Sequence, residues 1–217
     1  MRHSAFAIRF MVVIGVTGGV GTGKTTVANM MKRLGAVVLD ADAIAHQVME
    51  PKRLAWRQIV KTFGEGVLND DQTVNRRRLA ALAFHDEPSR RRLERIIHPR
   101  VLREIKARLH RLQRRNIKAV VLDIPLLIEV GAHDMVDTLV VVTAPPEVQR
   151  ERLKAKFGWT DEETSARIAA QWDLSAKAAL ADVVVDNADG VETTRTQVKR
   201  LWSKLAPRSS KSSTSRR

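Results

Sequence analysis

The chain has 217 residues, of which 44% are hydrophobic and 29% are charged, a composition typical of folded globular proteins. Its length suits one α/β domain with insertions better than two independent cores. No apolar run approaches the roughly 20 residues that span a bilayer, and the first ten residues lack the pattern of a signal peptide. The absence of cysteine excludes disulfides and thiolate metal sites. We therefore expect a cytoplasmic protein.

The formal charge of +14 is unevenly distributed. Residues 76–115 contain fourteen Lys or Arg against four Asp or Glu, and the tail "RSSKSSTSRR" adds only positive charge. This Ser-rich tail cannot bury enough apolar surface to fold, so we predict that residues 207–217 are disordered. We also predict disorder for residues 1–10. A basic surface predicts an anionic partner, which leaves nucleic acid, a membrane surface and a phosphorylated small molecule open.

Five short β-branched runs predict the strands of one sheet. Their continuous apolar character is typical of parallel strands that are covered on both faces. The predicted strands are "MVVIGV" (11–16), "AVVLD" (36–40), "AVVLD" (119–123), "TLVVVT" (138–143) and "DVVVD" (182–186).

Helical segments separate these runs. The first is predicted from Lys24 to Leu34 and ends at Gly35. A second begins at Thr160, where "TDEE" forms a capping box with Glu163. Apolar residues recur at helical spacing over 88–115, and Pro99 within that pattern is expected to kink or split the helix.

The strand–helix alternation stops between Asp42 and Lys118, where the sequence is mostly helical and basic. This interruption predicts a doubly wound α/β core with a helical insertion and a second, shorter helical excursion. The predicted nucleotide-binding core comprises 11–42, 118–144 and 181–206, the helical substrate-binding domain comprises 43–117, and the predicted lid comprises 145–180.

The segment "GGVGTGKT", Gly18 to Thr25, matches the phosphate-loop pattern G-x-x-x-x-G-K-[ST] between a predicted strand and a predicted helix. Glycines allow backbone N–H groups to surround phosphate oxygens at a helix N-terminus. Lys24 is expected to reach the β- and γ-phosphates of ATP, and the Thr25 hydroxyl to bind Mg²⁺. The predicted nucleotide-binding residues are Gly19, Val20, Gly21, Thr22, Gly23, Lys24, Thr25 and Thr26.

Two aspartates follow the second predicted strand in "VVLDADAIAHQV". Because ligands bind at the carboxyl ends of strands in an open parallel sheet, we expect Asp40 and Asp42 to lie beside the phosphate loop of the first strand. They face the same way if the chain stays extended to Asp42. One role is to accept a proton from an attacking hydroxyl, and another is to hold a magnesium-bound water. Alternatively, Asp42 caps the helix "AIAHQVME".

At this point the sequence resembles the dephospho-coenzyme A kinases. The opening segment "TGGVGTGKTTVANMMKRLGAVVLDADAIAHQVMEP" is similar to that family. So, in the same order, are "FGEGVLNDDQTVNRRRLAALAFHDE", "IIHP", "DIPLLIE", "QRERL", "RIAAQ" and "ADVVVDN". The resemblance covers residues 11–205, nearly the whole chain.

The resemblance implies an α/β P-loop fold with a five-stranded parallel sheet. It also implies transfer of the γ-phosphate of ATP to the ribose 3′-hydroxyl of dephospho-coenzyme A, the final step of coenzyme A synthesis. In that family the second aspartate of D-x-D is the base, which corresponds to Asp42 here. Asp40 then has a supporting role toward Mg²⁺.

The segment "APPEVQRERLKAKFGWT" is the candidate lid, and a lid arginine can stabilise charge on the transferred phosphoryl group. By resemblance Arg152 is the catalytic choice, with Arg150 less favoured. Lys156 stands where the family often has arginine, which loses bidentate geometry. Arg167 and Gln171 share a helix face in "RIAAQ" and serve either lid closure or packing; we assign Arg167 to the substrate site. Solvated helix faces remain the alternative for the cations.

Four further residues match family positions, each with a structural alternative. Asp123 ends an apolar strand and either holds Mg²⁺ through water or is structural. Leu126 corresponds to a substrate-contacting segment. His98 in "IIHP" either contacts substrate or packs between helices, and Asn187 lies either near adenine or in a turn.

The sequence leaves two other functions open. A P-loop kinase for another small anion, such as a nucleoside monophosphate, keeps the loop but does not need the D-A-D, I-P-L-L and H-P series. A nucleic-acid-binding ATPase would use the positive charge, yet only 4% of residues are aromatic and no nucleic-acid-binding module is present. We expect dephospho-coenzyme A as partner, no nucleic acid or membrane partner, and a monomer, with a trimer as the alternative.

Overall fold

The computed structural model describes residues 11–83 and 85–205, which form a five-stranded sheet with helices between the strands. The predicted tails lie outside these residues. The strands are β1 (Val12–Gly18), β2 (Val37–Asp40), β3 (Ala119–Asp123), β4 (Thr138–Thr143) and β5 (Val183–Asp186). The α-helices are α1 (Lys24–Arg33), α2 (Ala41–Val48), α3 (Leu54–Phe63), α4 (Arg76–Ala83), α5 (Glu87–Arg114), α6 (Pro146–Phe157), α7 (Asp161–Ala169), α8 (Leu174–Ala179) and α9 (Val191–Leu205). Short 3-10 helices cover Glu65–Val67 and Ala132–Met135.

The strand order is β2-β3-β1-β4-β5, and β1 pairs in parallel with both β3 and β4. In this register Val16 lies opposite Asp123 and Gly18 opposite Val142, so the carboxyl ends of the central strands meet at one edge. The predicted α/β fold with a five-stranded sheet is confirmed. Burial on both faces holds for β3 and most of β1 and β4, whereas Val184 of β5 is 45% exposed because β5 ends the sheet.

The order of the strands corrects one expectation. The sequence predicts that the two aspartates at the end of β2 lie beside the phosphate loop of β1, but β3 lies between these strands. The acid at the end of the strand next to β1 is therefore Asp123 and not Asp40. The physical reason is that a crossover connection can pass over a neighbouring strand, so chain order does not fix sheet order.

The start of α2 corrects a second expectation. The chain does not stay extended to Asp42, because β2 ends at Asp40 and the helix begins at Ala41. The carboxylate of Asp40 accepts hydrogen bonds from the backbone N–H groups of Asp42 (2.8 Å) and Ala43 (3.1 Å). Asp40 is thus the N-cap, and the alternative in which Asp42 caps this helix is wrong.

The described residues divide into two compact units, 11–38 with 112–205 and 39–111. In the first unit, α1 and α9 pack together against the sheet. Their shared core includes Ile14, Val16, Val27, Met31, Val121, Val140, Val142, Val198 and Leu201, all buried.

The second unit is mostly helical, with buried apolar residues on α3, α4 and α5 such as Ile59, Leu79 and Ile105. Helix α5 continues through Pro99 for 28 residues, so the proline does not split it. None of the helices in the described ranges combines the length and the apolar character that crossing a membrane requires.

A buried ion pair connects α8 with the segment after β3 inside the first unit. The Lys177 ammonium lies 2.6 Å from the Glu129 carboxylate, and their side chains are 0% and 14% exposed. No other hydrogen-bond partner of these charged groups is found in the described parts of the chain. Each charge is therefore compensated chiefly by the other.

Replacing Lys177 by Met is expected to lower the free energy of unfolding by about 3–5 kcal/mol, because Glu129 is then left as an uncompensated buried charge. Urea denaturation measures this change, with Lys154→Met as the control because Lys154 is an exposed residue of α6. Equal stability of the two variants would contradict a contribution from the pair.

Candidate active site

The turn between β1 and α1 approaches neighbouring atoms so closely that only glycine fits at two of its positions. A Cβ on Gly18 would lie 2.3 Å from the carbonyl oxygen of Val142, and one on Gly23 would lie 2.2 Å from Nδ2 of Asn187. Gly23 also has φ of 92°, a left-handed conformation that other residues rarely adopt. The loop therefore has the strand–glycine-rich turn–helix arrangement that binds phosphate.

One carbonyl organises the inside of this turn. The Gly19 oxygen accepts hydrogen bonds from Lys24 Nζ (2.8 Å), from the Thr22 hydroxyl (2.9 Å) and from the Thr22 backbone N–H (3.3 Å). The lysine is half-buried and curls back over the loop that precedes its own helix. Its ammonium is thus held at the loop, where a phosphate-binding lysine acts.

The sequence predicts that Thr25 and Asp40 hold the divalent cation, but the acid that Thr25 contacts is Asp123. The Thr25 hydroxyl donates to the Asp123 carboxylate at 3.2 Å, and Asp123 is only 5% exposed. Oxygen donors of this kind suit Mg²⁺, which normally keeps several waters and substrate oxygens as ligands. No cluster of three or more His, Asp or Glu side chains able to hold a metal occurs in the described ranges.

Arg152 on α6 links the phosphate loop to the segment after β5. Its guanidinium donates to the carbonyl oxygens of Thr22 (3.4 Å) and Asn187 (2.8 Å). The buried Asn187 amide also donates to the Thr22 carbonyl at 2.8 Å and accepts from the Thr194 hydroxyl at 2.7 Å. The structure therefore brings Arg152 and Asn187 together at the loop.

The predicted lid consists of α6, α7 and α8. The capping box of Thr160 and Glu163 is confirmed at the start of α7. Arg167 lies with its guanidinium 4.0 Å from the centre of the Trp159 ring, so it is held by a cation–π contact on an exposed helix face. The ammonium of Lys156 lies over the Phe157 ring at 5.1 Å.

Gln171 follows α7 and points back to the phosphate loop. Its side-chain oxygen accepts a hydrogen bond from the Val20 backbone N–H at 2.8 Å. Of the residues in "RIAAQ", Gln171 contacts the loop directly, while Arg167 contacts Trp159.

In the second unit, Asp42 lies exposed in the first turn of α2 and His46 follows one turn later. The His46 ring lies against the Arg76 guanidinium. Partial burial lowers the pKa of His46, as does the charge of Arg76, while the carboxylates of Asp42 and Asp40 oppose this shift. His46 is therefore neutral at pH 7 and accepts a hydrogen bond from Arg76. A cavity of about 430 Å³ adjoins this pair.

The surroundings of two further predicted residues, His98 and Leu126, say less about their roles. His98 is half-buried in α5, and burial lowers the pKa of His98 although Glu94 opposes it. Leu126 is half-buried in the segment after β3.

Two contributors were not singled out from the sequence. The buried Gln149 lies with its side-chain oxygen 3.2 Å from the position of a Cβ on Gly19, and its amide donates to the Ala144 carbonyl. In the sequence, only the position of Gln149 in the motif "QRERL" indicates a role. His46 was visible only as the residue four positions after Asp42, a spacing that puts both on one helix face.

Comparisons with known proteins agree with this geometry. The dephospho-CoA kinase family, CoaE, matches residues 12–193. A dephospho-CoA kinase of Geobacillus kaustophilus is 43% identical over 187 residues, which are 86% of this chain and 93% of that protein. One from Shouchella clausii is 44% identical and covers 89% of this chain and 98% of its own.

Solved structures show the same fold. The Thermus thermophilus protein TT1252 superposes with a TM-score of 0.78 at 34% identity, over 90% of this chain and 98% of its own. The dephospho-CoA kinase of Campylobacter jejuni has a TM-score of 0.63 at 23% identity, covering 91% and 98%.

The parallel sheet, the glycine-rich turn and the lysine held over it define a P-loop kinase. Within that class, the chain belongs to the dephospho-CoA kinase family. Members of this family phosphorylate dephospho-coenzyme A with ATP in the final step of coenzyme A biosynthesis.

Replacing Gly23 by Ala is expected to weaken ATP binding at least about tenfold, because the added Cβ displaces Asn187 and strained backbone of this kind costs about 1–3 kcal/mol. Isothermal titration calorimetry measures the dissociation constant.

The matched control is Gly131→Ala. Gly131 has a similar backbone conformation (φ 65°, ψ 24°), but its Cβ would meet nothing within 4 Å among the described residues. An equal loss of ATP affinity in both variants would show that the substitutions act through a general effect on folding and not through the approach to Asn187.

Proposed function

We propose that this chain transfers the γ-phosphate of ATP to the ribose 3′-hydroxyl of dephospho-coenzyme A, with Asp42 as the base. The observation that supports it most directly is the phosphate loop with Lys24 and the Thr25–Asp123 contact, in a chain of the dephospho-CoA kinase family. Family membership supports dephospho-coenzyme A as the acceptor, and the phosphate loop supports ATP as the donor.

In the proposed step, the 3′-oxygen of the acceptor forms a bond to the γ-phosphorus as the bond from that phosphorus to the β–γ bridging oxygen breaks. ADP leaves, and the hydroxyl proton passes to the Asp42 carboxylate and then to water. Because the transition state of phosphoryl transfer is loose, positioning and charge neutralisation contribute most, and the base accepts its proton late. The exposed place of Asp42 in the first turn of α2 suits proton exchange with solvent.

Lys24 is proposed to neutralise charge on the β- and γ-phosphates, which phosphate-loop lysines reach. Backbone N–H groups within residues 19–26 bind phosphate oxygens, apart from those that donate within the protein, such as Val20 to Gln171 and Thr22 to Gly19. Asn187 lies near adenine. We propose that Arg152 stabilises the transferred group. Its contacts with Thr22 and Asn187 support a place at the nucleotide, and a guanidinium has further N–H donors available for phosphate oxygens.

A Mg²⁺ ion would be held by Thr25 directly and by Asp123 through water, and it would neutralise charge on the nucleotide oxygens. The hydrogen bond from Thr25 to Asp123 supports this set. The resemblance implies a supporting role toward the metal for Asp40. We propose Asp123 instead, because Asp40 uses an oxygen to cap α2 and β3 is the strand next to β1.

The acceptor is proposed to contact the second unit through Arg76, His98 and the cavity beside His46. Dephospho-coenzyme A carries a pyrophosphate, and the cationic Arg76 at the cavity is suited to it. Leu126 and Arg167 complete the proposed substrate set. We further propose a cytoplasmic enzyme that acts as a monomer.

The test of this function is to incubate the protein with Mg-ATP and dephospho-coenzyme A and to detect coenzyme A by mass spectrometry. Parallel reactions with adenosine 5′-monophosphate and with other nucleotides that carry a free 3′-hydroxyl serve as controls. Faster phosphorylation of one of these acceptors would assign the chain to another small anion.

Replacing Asp42 by Asn is expected to lower kcat at least about 100-fold, because general-base catalysis contributes factors of this size, while the affinity for ATP stays unchanged. Steady-state kinetics and calorimetry separate the two effects. Asp70→Asn is the control, since Asp70 is an exposed acid of the same unit. Near-normal turnover of the Asp42 variant would reject its role as base.

A further inference from the structure

The contact between Gln171 and the phosphate loop joins residues that are 151 positions apart in the chain. The Gln171 side chain is half-buried and comes from the segment between α7 and α8, within the predicted lid. Its oxygen lies 2.8 Å from the nitrogen of Val20, a backbone N–H inside the glycine-rich turn. Since a turn of this kind offers its N–H groups to phosphate, a protein side chain on one of them needs an explanation.

The N–H of Val20 belongs to the same peptide group as the carbonyl of Gly19. Because a trans peptide is planar, the directions of its N–H and C=O are fixed relative to each other. The Gly19 oxygen is the acceptor for Lys24 Nζ at 2.8 Å. The hydrogen bond from the Val20 N–H to Gln171 therefore helps to fix the direction of the Gly19 carbonyl, and this carbonyl holds the Lys24 ammonium.

Gln171 shares the restraint of this peptide group with Thr22. The Thr22 hydroxyl and N–H restrain it through the Gly19 oxygen. The Gln149 side-chain oxygen would lie 3.2 Å from a Cβ on Gly19, and its amide donates to the Ala144 carbonyl. Gln171 is the partner that the structure gives to the N–H side.

We propose that Gln171 is a positioning residue that acts through the Gly19–Val20 peptide to hold Lys24 where it meets the β- and γ-phosphates. The predicted lid then contributes to nucleotide binding through a neutral glutamine as well as through its cations. This inference rests on the proposed function only in taking ATP as the nucleotide.

A double-mutant cycle tests the proposal, because coupling between two residues appears as non-additive effects. The dissociation constant of ATP is measured by calorimetry for four proteins: the unaltered chain, Gln171→Met, Lys24→Met and the double variant. Methionine has nearly the size of glutamine and cannot accept the Val20 N–H. We expect Gln171→Met to weaken ATP binding roughly tenfold, the effect of leaving one such donor unpaired. In the Lys24→Met background we expect less than about a twofold further loss.

Gln58→Met is the control. Gln58 is an exposed glutamine of α3 whose oxygen also accepts a hydrogen bond, from the Arg100 guanidinium at 2.9 Å, and the proposed ATP-binding residues all lie in the other unit. We expect this variant to keep the ATP affinity of the unaltered chain. Thermal unfolding of all variants verifies that each is folded at the temperature of the titration.

Two results would overturn the proposal. One is unchanged ATP affinity in Gln171→Met, and the other is an equal loss in both backgrounds, which would show that Gln171 acts independently of Lys24. Neither result bears on the acceptor. If the unaltered chain binds ATP but does not phosphorylate dephospho-coenzyme A, the proposed function fails while the cycle still decides the role of Gln171.

Discussion

The backbone of the glycine-rich turn is the constraint on which the rest of the site depends. Elements from three distant parts of the chain lie against it: β4 at Gly18, α6 at Gly21 and the segment after β5 at Gly23. Side chains at these positions would collide with neighbouring backbone or with Asn187, so the turn and its surroundings fit together only with glycine. The N–H groups of the turn are held in place before any phosphate arrives, and such preorganisation reduces the cost of ordering on binding.

Features set by neighbouring residues in the chain were predictable from the sequence. The bounds of β3 and β4, the glycine after α1 and the Thr160 capping box agree with the prediction because each depends on local patterns. The order of the strands was not predictable in this way. It depends on which crossover passes over which strand, and this is why Asp123 and not Asp40 ends the strand next to β1.

For contacts between distant segments, the sequence shows the motifs involved but not which residues they contact. "QRERL" and "RIAAQ" were visible in the sequence, but no periodicity indicated that Arg152 would reach the Thr22 carbonyl or that Gln171 would reach the Val20 N–H. An ion pair can be anticipated from residues of opposite charge. A side chain that binds a backbone atom has no partner of a recognisable residue type, so the sequence does not indicate the contact. Their partners become identifiable once the sheet has placed α6 and α7 beside the loop.

Part of the positive charge of the second unit is paired with nearby carboxylates, and part of it is in excess. The glutamates of α5 pair with arginines one turn away, as Glu87 does with Arg91 and Glu104 with Arg108. Arg76 instead contacts His46, whose lowered pKa keeps it neutral at pH 7, so the cation keeps its full charge beside the cavity. Exposed ion pairs contribute little to stability, whereas a cation at a concave surface attracts anions. The surplus charge of this unit therefore bears more on binding an anionic acceptor than on holding the helices together.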